Sequence, residues 1–271
     1  MAVKSILCTY SGDPTKGSGL AHAIRVARHH DAFLTGVIRH GLTFIHRQLS
    51  AQLPSSVIDQ LRSSESRQVE EIAERFRSIV EKAGIGDRAE FVDLDTNRDG
   101  LLTDFSRAFD VIVTGNHPFS SHEDQSSAQP DVLALRSGRP VLIVPQGFEA
   151  EGVASRALIA WDGKRAATRA LVSAMPFLES KGQITLLSVG EAPANTPRLV
   201  QTLERHGFPV EAVAVPRQGS IAETILRKSD EGENRLIVMG AYEHSKFTQD
   251  LTGGATTAVL SQTEVPVLIA H

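Results

Sequence analysis

The most restrictive feature of this 271-residue sequence is that its second half repeats its first half. Three short blocks, each rich in aliphatic and β-branched residues, recur in the same order and at nearly equal separations. The paired blocks are residues 4–10 with 156–162, 110–115 with 235–240, and 138–145 with 264–271. Ordered matches of this kind are typical of an internal duplication. We therefore expect two copies of one folding unit.

In both copies, short apolar runs alternate with segments of helical period. The predicted strands are 3–9, 33–39, 89–93, 110–114 and 141–144 in the first copy, and 156–161, 183–189, 210–215, 235–239 and 266–269 in the second. Strands without polar alternation, joined by helices, indicate parallel sheets covered on both faces. The predicted fold class is α/β, with two tandem, doubly wound, parallel five-stranded sheets of Rossmann-like type. The two Pro-Val-Leu-Ile strands can pair edge to edge, which would make one chain a pseudo-dimer.

Two domains are predicted, at residues 1–148 and 154–271, and the boundary falls in the polar segment 147–154. The first copy is longer than the second by ~27 residues, as judged from the repeat comparison. The extra residues fall near 42–83, where apolar side chains such as Val69, Ile72 and Phe76 follow helical spacing. This spacing predicts a long amphipathic helix in the insertion.

The amino-acid composition argues against several classes of function. The net charge of −4 and the pI of about 6.2 argue against a general nucleic-acid binder. The single cysteine, Cys8, excludes an intrachain disulfide and a multi-thiolate zinc site, and its apolar run predicts a buried strand residue. No apolar stretch suits a signal peptide or a bilayer span. We expect a cytoplasmic protein with no membrane or nucleic-acid partner and no metal site.

In parallel sheets, ligands bind at the carboxyl ends of the strands. In the second copy, small and polar residues follow successive strands at that edge. The predicted binding residues are Asp162, Gly163, Val189, Gly219, Ile221, Met239, Gly240, His244, Gly253, Gly254, Ala255 and Thr256. Small residues at a helix start admit a phosphate to backbone N–H groups, and Asp162 can accept a hydrogen bond from an adenine amino group or a ribose hydroxyl. A plainer interpretation stays open for each residue, since glycine often makes a βα turn and aspartate often caps a helix.

These motifs resemble the universal stress protein family in its tandem, two-domain form. Gly240, the Gly253-Gly254 pair that follows a polar loop, and the final strand after Pro266 are similar to the family's nucleotide signature. Residues 159–163 look like the family's opening strand with its adenine-binding aspartate. The resemblance implies an adenine nucleotide α-hydrolase-like fold. It also implies that ATP or another adenine nucleotide, possibly with Mg²⁺, binds in the C-terminal domain.

Several positions depart from the family signature. Glu243 stands where the family has its second glycine, and Gly254 stands where it has a small hydroxyl residue. A carboxylate beside a polyphosphate is repulsive by about 1 kcal/mol in water-like surroundings. In the first copy Tyr10 replaces the aspartate, and the segment after Gly115 lacks the later glycines. The first half is therefore expected to have lost nucleotide binding.

Several functions follow as hypotheses. The leading one is a regulatory stress-response protein that senses an adenine nucleotide and has no catalytic residue. One alternative is an interaction module in which Glu243 has disabled the site, and another is a weak ATPase. A small-molecule enzyme of the wider α-hydrolase-like group would need an acceptor site that the sequence does not display. Partners beyond the nucleotide would be proteins that the sequence does not specify, including a second copy of the chain in a homodimer.

Overall fold

A computed structural model describes residues 3–12, 18–40, 54–95, 100–116, 130–149, 152–217, 219–241 and 254–271. Within these ranges, strands and helices alternate through both halves of the chain, as the sequence predicts. No helix in the described ranges is both long enough and apolar enough to cross a membrane.

The two halves share one order of elements. The first half contains β1 (Ser5–Thr9), α1 (Ser18–His30), β2 (Phe33–His40), α2 (Ser55–Lys82), β3 (Ala89–Asp95), α3 (Leu102–Phe105), β4 (Val111–Gly115), α4 (Pro130–Ser137) and β5 (Val141–Val144). The second half contains β6 (Ala154–Ala160), α5 (Arg165–Ala174), β7 (Leu178–Val189), α6 (Thr196–Arg205), β8 (Val210–Val215), α7 (Ile221–Glu231), β9 (Leu236–Gly240), α8 (Ala255–Gln262) and β10 (Val267–Ala270). All ten predicted strands are present, with ends that differ by a few residues.

All ten strands form a single sheet in the order β3-β2-β1-β4-β5-β10-β9-β6-β7-β8. Pairing is parallel within each half, and β5 pairs with β10 in antiparallel orientation, with Leu142 opposite Leu268. The predicted edge-to-edge pairing of the two Pro-Val-Leu-Ile strands is thereby confirmed. Because β5 and β10 run in opposite directions, the carboxyl ends of the two halves lie at opposite edges of the sheet.

The sheet is buried on both faces, and its two middle strands, β5 and β10, are apolar at every position. In β1, Ile6 and Cys8 pack into one core cluster while Leu7 packs into the other, as the two-residue period of a strand requires. Helices α1, α2, α5 and α6 supply side chains to the first cluster, and α3, α4, α7 and α8 supply side chains to the second. The predicted doubly wound α/β class is therefore confirmed.

The insertion in the first half contains the long helix that the sequence predicts. Helix α2 has 28 residues, which gives a length of about 42 Å. Its C-terminal half packs on the sheet through Phe76, whose ring lies 6.0 Å from Tyr10 and 5.3 Å from Phe91 between ring centres. Gly36 lies beneath the same ring, and a Cβ atom at this position would overlap with it. The helix is thus fitted to β1, β2 and β3 by aromatic contacts.

Cys8 is expected to react with a thiol reagent only when the protein unfolds. It is fully buried in β1, and burial raises the pKa of its thiol to about 12. Because the thiolate is the reactive form, the shift alone should slow reaction at pH 8 by about a thousandfold relative to an exposed thiol. Titration with Ellman's reagent in native buffer and in urea measures this difference. Rapid stoichiometric reaction in native buffer would contradict the burial of Cys8.

Candidate functional site

The second half has a switch point between β6 and β9. The chain runs from β6 to β7 on one side, whereas β9 lies on the other side, so the connections leave β6 in opposite directions. Ligands of open α/β sheets bind in the crevice at the carboxyl ends of such strands. Asp162 follows β6 and Ala241 follows β9, which places them on the two sides of this crevice. We call the carboxyl ends of β6 to β10 the C-half edge.

Asp162 keeps its carboxylate at the surface of this edge. The side chain is 51% exposed, and one oxygen accepts a hydrogen bond from the backbone N–H of Lys164 at 3.0 Å. The Lys164 ammonium lies 3.8 Å from the second oxygen. The carboxylate supports the turn into α5, as the plainer interpretation expects, and it also remains accessible to a ligand.

Local packing or backbone conformation explains why three of the predicted site residues are glycines. Gly163 has a φ of +76°, and a Cβ there would come within 2.8 Å of Pro193. Gly219 has a φ of +74°, and its missing side chain leaves room for the carboxylate of Glu223. Gly240 lies against the start of α5, where a Cβ would approach the Ala167 backbone nitrogen to 2.6 Å. These glycines would be required by the fold with or without a ligand.

At the start of α7, side chains accept hydrogen bonds from the backbone N–H groups. The Ser220 hydroxyl accepts from the Glu223 N–H at 3.1 Å, and the Glu223 carboxylate accepts from the Ser220 N–H at 2.8 Å. The same bond from the Ser220 backbone holds the pKa of Glu223 below its usual value. This reciprocal capping leaves α7 with no need for a bound anion. Ile221 is exposed beside it and offers an apolar surface.

The start of α8 differs from that of α7, because no side chain among the described residues caps it. Gly254 occupies the N-cap position in extended conformation and makes no side-chain hydrogen bond to the helix. The first N–H groups of a helix have no partner within the helix and favour an anion. Thr256 is buried, and the hydroxyl of Thr257 is a buried oxygen without a hydrogen-bond partner. This helix start can supply donors to a phosphate.

The remaining predicted residues fall in different places. Ala255 is half-buried in the first turn of α8, and Val189 is half-buried at the end of β7. Met239 points into the core formed with α7 and α8, so its side chain is not at the surface of the edge. His244 and Gly253, together with the departure at Glu243, lie outside the described residues.

Two basic residues that the sequence analysis did not select reach the C-half edge. Arg169 of α5 donates to the backbone carbonyl of His271 at 2.7 Å, and the His271 ring nitrogen Nδ1 lies 2.9 Å from the Ala241 carbonyl. These contacts tie the ends of β9 and β10 to α5. Arg169 lies seven residues after Asp162, and that proximity was the only signal in the sequence.

Strand register corrects the comparison between the two halves. The Tyr10 N–H donates to the Val37 carbonyl of β2, just as the Trp161 N–H donates to the Leu187 carbonyl of β7. Tyr10 therefore corresponds to Trp161, and both side chains are buried in the same core cluster. The expectation that Tyr10 replaces the aspartate is wrong by one position, because the residue equivalent to Asp162 is Ser11.

The first half keeps the turn but not the carboxylate. Gly12 has a φ of +75°, which matches the φ of +76° at Gly163. The Gly12 carbonyl accepts a hydrogen bond from Arg75 of α2, and a Cβ on Gly12 would meet Ile72 of the same helix at 2.6 Å. Helix α2 thus packs directly over the end of β1. Asn116, at the end of β4, donates to the Leu260 carbonyl of α8 and links the two halves.

Among the described residues, no cluster of three or more His, Cys, Asp or Glu side chains is placed to hold a metal ion. The C-half edge thus presents three features to a ligand: the exposed carboxylate of Asp162, an apolar rim and the uncapped start of α8.

Comparison with known proteins relates this arrangement to one family. No protein-family model matches the chain. A universal stress protein of Synechocystis is 27% identical over 176 residues, which is 62% of this chain and 60% of that protein. The aligned region therefore spans less than two thirds of the length of this relative.

Solved structures share the whole fold. A universal stress protein from Archaeoglobus fulgidus matches with a TM-score of 0.74 and 18% identity, covering 98% of this chain and 97% of the other. A protein of unknown function from Pseudomonas aeruginosa matches with a TM-score of 0.57 and 16% identity, covering 99% and 92%. At these identities the matches establish the two-part fold. With this fold and the sequence match to the Synechocystis protein, the chain is similar to universal stress proteins in both fold and sequence.

Proposed function

We propose that the chain is a regulatory stress-response protein that binds an adenine nucleotide at the C-half edge. The observation that carries the proposal is the uncapped start of α8, which lies at the same edge of the sheet as the exposed carboxylate of Asp162. A helix start without a side-chain cap attracts phosphate. A carboxylate accepts hydrogen bonds from an adenine amino group or a ribose hydroxyl.

The apolar side chains at the C-half edge are suited to contact an adenine base. Ile221 is 39% exposed at the start of α7, and Val189 is half-buried at the end of β7. An adenine ring buries apolar area on both of its faces, so such side chains favour it over a bare phosphate. ATP, ADP and AMP share the base and ribose and differ in phosphate number. Comparing their affinities therefore measures how much the phosphate groups contribute to binding.

The proposed action is binding rather than catalysis. Bound nucleotide would change the surface offered to a protein partner. Weak ATP hydrolysis is an alternative that would require Mg²⁺ and a positioned water molecule. We assign no catalytic residue.

The main competing proposal is an interaction module without a nucleotide. One observation favours it specifically: Gly163, Gly219 and Gly240 are each explained by close packing within the chain. Their presence is therefore compatible with a family member whose site has lapsed, with Glu243 as the disabling residue.

Replacing Asp162 with alanine is expected to weaken nucleotide binding by about ten- to a hundredfold, since a hydrogen bond to a charged group contributes about 1.5–3 kcal/mol. Trp161 is the only tryptophan in the chain and directly precedes Asp162, so its fluorescence gives a local readout. Titration calorimetry and fluorescence with ATP, ADP and AMP, with and without Mg²⁺, measure the effect.

Asp230→Ala is the matched control, because it removes an equally charged, exposed side chain near the far end of α7. It should leave affinity unchanged. If the wild type shows neither heat nor fluorescence change while Glu243→Gly binds ATP, the interaction module is the better description. If wild-type affinity survives Asp162→Ala, the nucleotide lies elsewhere.

A further inference from the structure

Three arginines of the first half lie close together, in the two turns that lead into β4 and β5. Arg107 precedes β4, Arg136 lies in the last turn of α4, and Arg139 precedes β5. The Arg139 guanidinium donates from Nε and Nη2 to the Arg107 carbonyl, at 2.8 and 2.6 Å. The Arg107 guanidinium in turn donates to the Arg136 carbonyl at 3.2 Å. We call these three residues the arginine cluster.

The turn that carries Arg136 and Arg139 is fixed by a buried serine. The Ser137 hydroxyl donates to the Leu133 carbonyl at 2.6 Å and accepts from the Arg139 backbone N–H at 3.0 Å. Ser137 is itself buried, so water competes little for these bonds. The fold therefore positions the backbone of both arginines before any ligand binds.

Only part of the positive charge of the arginine cluster is neutralised. Asp104 lies 2.9 Å from Arg107 and pairs with it. The Asp110 carboxylate instead accepts hydrogen bonds from backbone N–H groups at the start of β1, at 2.8 and 3.0 Å. Among the described residues, no ion pair includes Arg136 or Arg139. The cluster therefore keeps an excess of positive charge.

The hydrogen bonds within the arginine cluster leave donors for a ligand. A guanidinium has five N–H donors, and Arg139 uses only two of them on the Arg107 carbonyl. Arg136 is exposed, and its side chain bonds to no other described residue. Because the accepting carbonyls are uncharged, they orient the guanidinium groups without neutralising them. Such groups match the oxygens of a phosphate, to which arginine can donate two parallel bonds.

Strand register places the arginine cluster at the C-half edge. Val141 of β5 lies opposite Ile269 of β10. Continuing this antiparallel register by two residues brings Arg139 opposite His271. The His271 ring lies 2.9 Å from the carbonyl of Ala241, which follows β9. The turns of the first half that carry the cluster therefore meet the carboxyl ends of the second-half strands.

The arginine cluster also lies on the face of the sheet that α8 covers. Helix α4, which carries Arg136 in its last turn, and helix α8 both pack side chains into the second core cluster. Helix α8 begins at the C-half edge with Gly254 and has no side-chain cap. The end of α4 and the start of α8 thus share one edge and one face. A phosphate chain is negatively charged along its length, so both can bind the same ligand.

We propose that the arginine cluster binds a phosphate chain at the C-half edge. The chain is either a free polyphosphate or the outer phosphates of a nucleotide, and only the second source rests on the proposed function. In both cases the first half supplies cations to a site at the edge of the second half. A nucleotide that reaches the cluster gains affinity with each added phosphate.

Inorganic tripolyphosphate is the probe, and titration calorimetry of the full chain without Mg²⁺ in about 50 mM salt measures its binding. We expect one saturable site per chain. Arg136→Gln removes a charge but no hydrogen bond between described side chains, and it should lower affinity about tenfold. Arg205→Gln is the matched control, because it removes an exposed arginine from the last turn of α6. It should leave the affinity unchanged.

Arg139→Gln is the second variant, and it should also weaken tripolyphosphate binding about tenfold. Because this change removes the bonds to the Arg107 carbonyl, circular dichroism and urea denaturation check that the variant is folded. Asp162→Ala should leave tripolyphosphate binding unchanged, which separates this site from the carboxylate of the proposed nucleotide site.

Nucleotides distinguish the two sources of the phosphate chain. If the outer phosphates of a nucleotide reach the arginine cluster, ATP displaces tripolyphosphate and AMP does not. Arg136→Gln then removes most of the advantage of ATP over AMP. If ATP leaves bound tripolyphosphate in place, a separate phosphate compound is the ligand. That outcome supports the cluster as a site even where the proposed nucleotide function fails.

Two results would overturn the proposal. The first is the absence of saturable tripolyphosphate binding to the wild type at concentrations up to about 10 mM in low salt. The second is an affinity that stays within about twofold of the wild type in both arginine variants while they remain folded. In that case the phosphate chain binds elsewhere, and the cluster only joins the two turns.

Discussion

Replacing Phe76 with alanine is expected to lower the free energy of unfolding by about 3–5 kcal/mol. Phe76 is fully buried, and its ring joins α2 to Tyr10 of the first half and to Phe91 of β3. Removing it leaves a cavity over Gly36, which carries no side chain to fill the space.

Urea denaturation followed by circular dichroism measures this loss. Val57→Ala is the matched control, since Val57 lies on the same helix with 36% of its surface exposed and should change stability by less than about 0.5 kcal/mol. Trp161 lies in the second half, so comparing its fluorescence with circular dichroism tests whether the halves unfold together. A loss below about 1 kcal/mol for Phe76→Ala would contradict the packing of α2 described above.

Lowering the pH from 6.5 to 4 is expected to destabilise the protein by about 3 kcal/mol through His22 alone, since one pKa unit corresponds to 1.36 kcal/mol. Burial and the charge of Arg25 lower the pKa of His22 from 6.5 to about 4 in the folded protein. Between these values the unfolded chain binds a proton that the folded chain does not. Stability is therefore fully present above pH 6.5, falls as the pH decreases to about 4, and then levels.

Other titratable groups determine the pH range in which the contribution of His22 can be measured. Burial also lowers the pKa of His30, which adds to the loss in the same direction. The pKa values of Glu223 and Glu231 are lowered by hydrogen bonds, so their contributions are lost only below about pH 4.5. Among the described residues with resolved shifts, the interval from 6.5 to 4.5 therefore reports on His22 and His30.

Urea denaturation at half-unit steps of pH, on the wild type and on His22→Leu, tests the expectation. The variant should lose most of the dependence on pH between 6.5 and 4.5. His206→Gln, which removes an exposed imidazole at the end of α6, should retain it. Equal slopes for the wild type and His22→Leu would show that His22 is not the group that titrates.

The strands and their pairing could be predicted because they depend on local patterns. Each buried strand is a short apolar run, and the shared Pro-Val-Leu-Ile sequence marks the two strands that meet in the middle of the sheet. The long helix α2 was visible from the spacing of Val69, Ile72 and Phe76. Periodicity reports which face of an element is buried, and for these elements the pattern was uninterrupted.

The finer features of the site depend on contacts between distant residues. Matching the halves by residue type paired Tyr10 with Asp162, whereas the hydrogen bonds to β2 and β7 pair Tyr10 with Trp161. The contact between Arg169 and His271 spans 102 positions and has no local signature. The tight approach of Gly240 to α5 is equally invisible in a strand sequence, where a glycine suggests a turn or a phosphate site with equal force.

The antiparallel pairing of β5 with β10 occurs within one covalent chain. This affects both the assembly of the sheet and the divergence in sequence of its two halves. Tethered strands meet at an effective concentration that dilution of the protein does not change, so the central pairing needs no threshold amount of protein. A symmetric dimer carries every substitution twice, at equivalent positions. Here Asp162 and Ser11 can differ, so a single molecule can keep an exposed carboxylate at one edge while helix α2 packs over the end of β1 at the opposite edge.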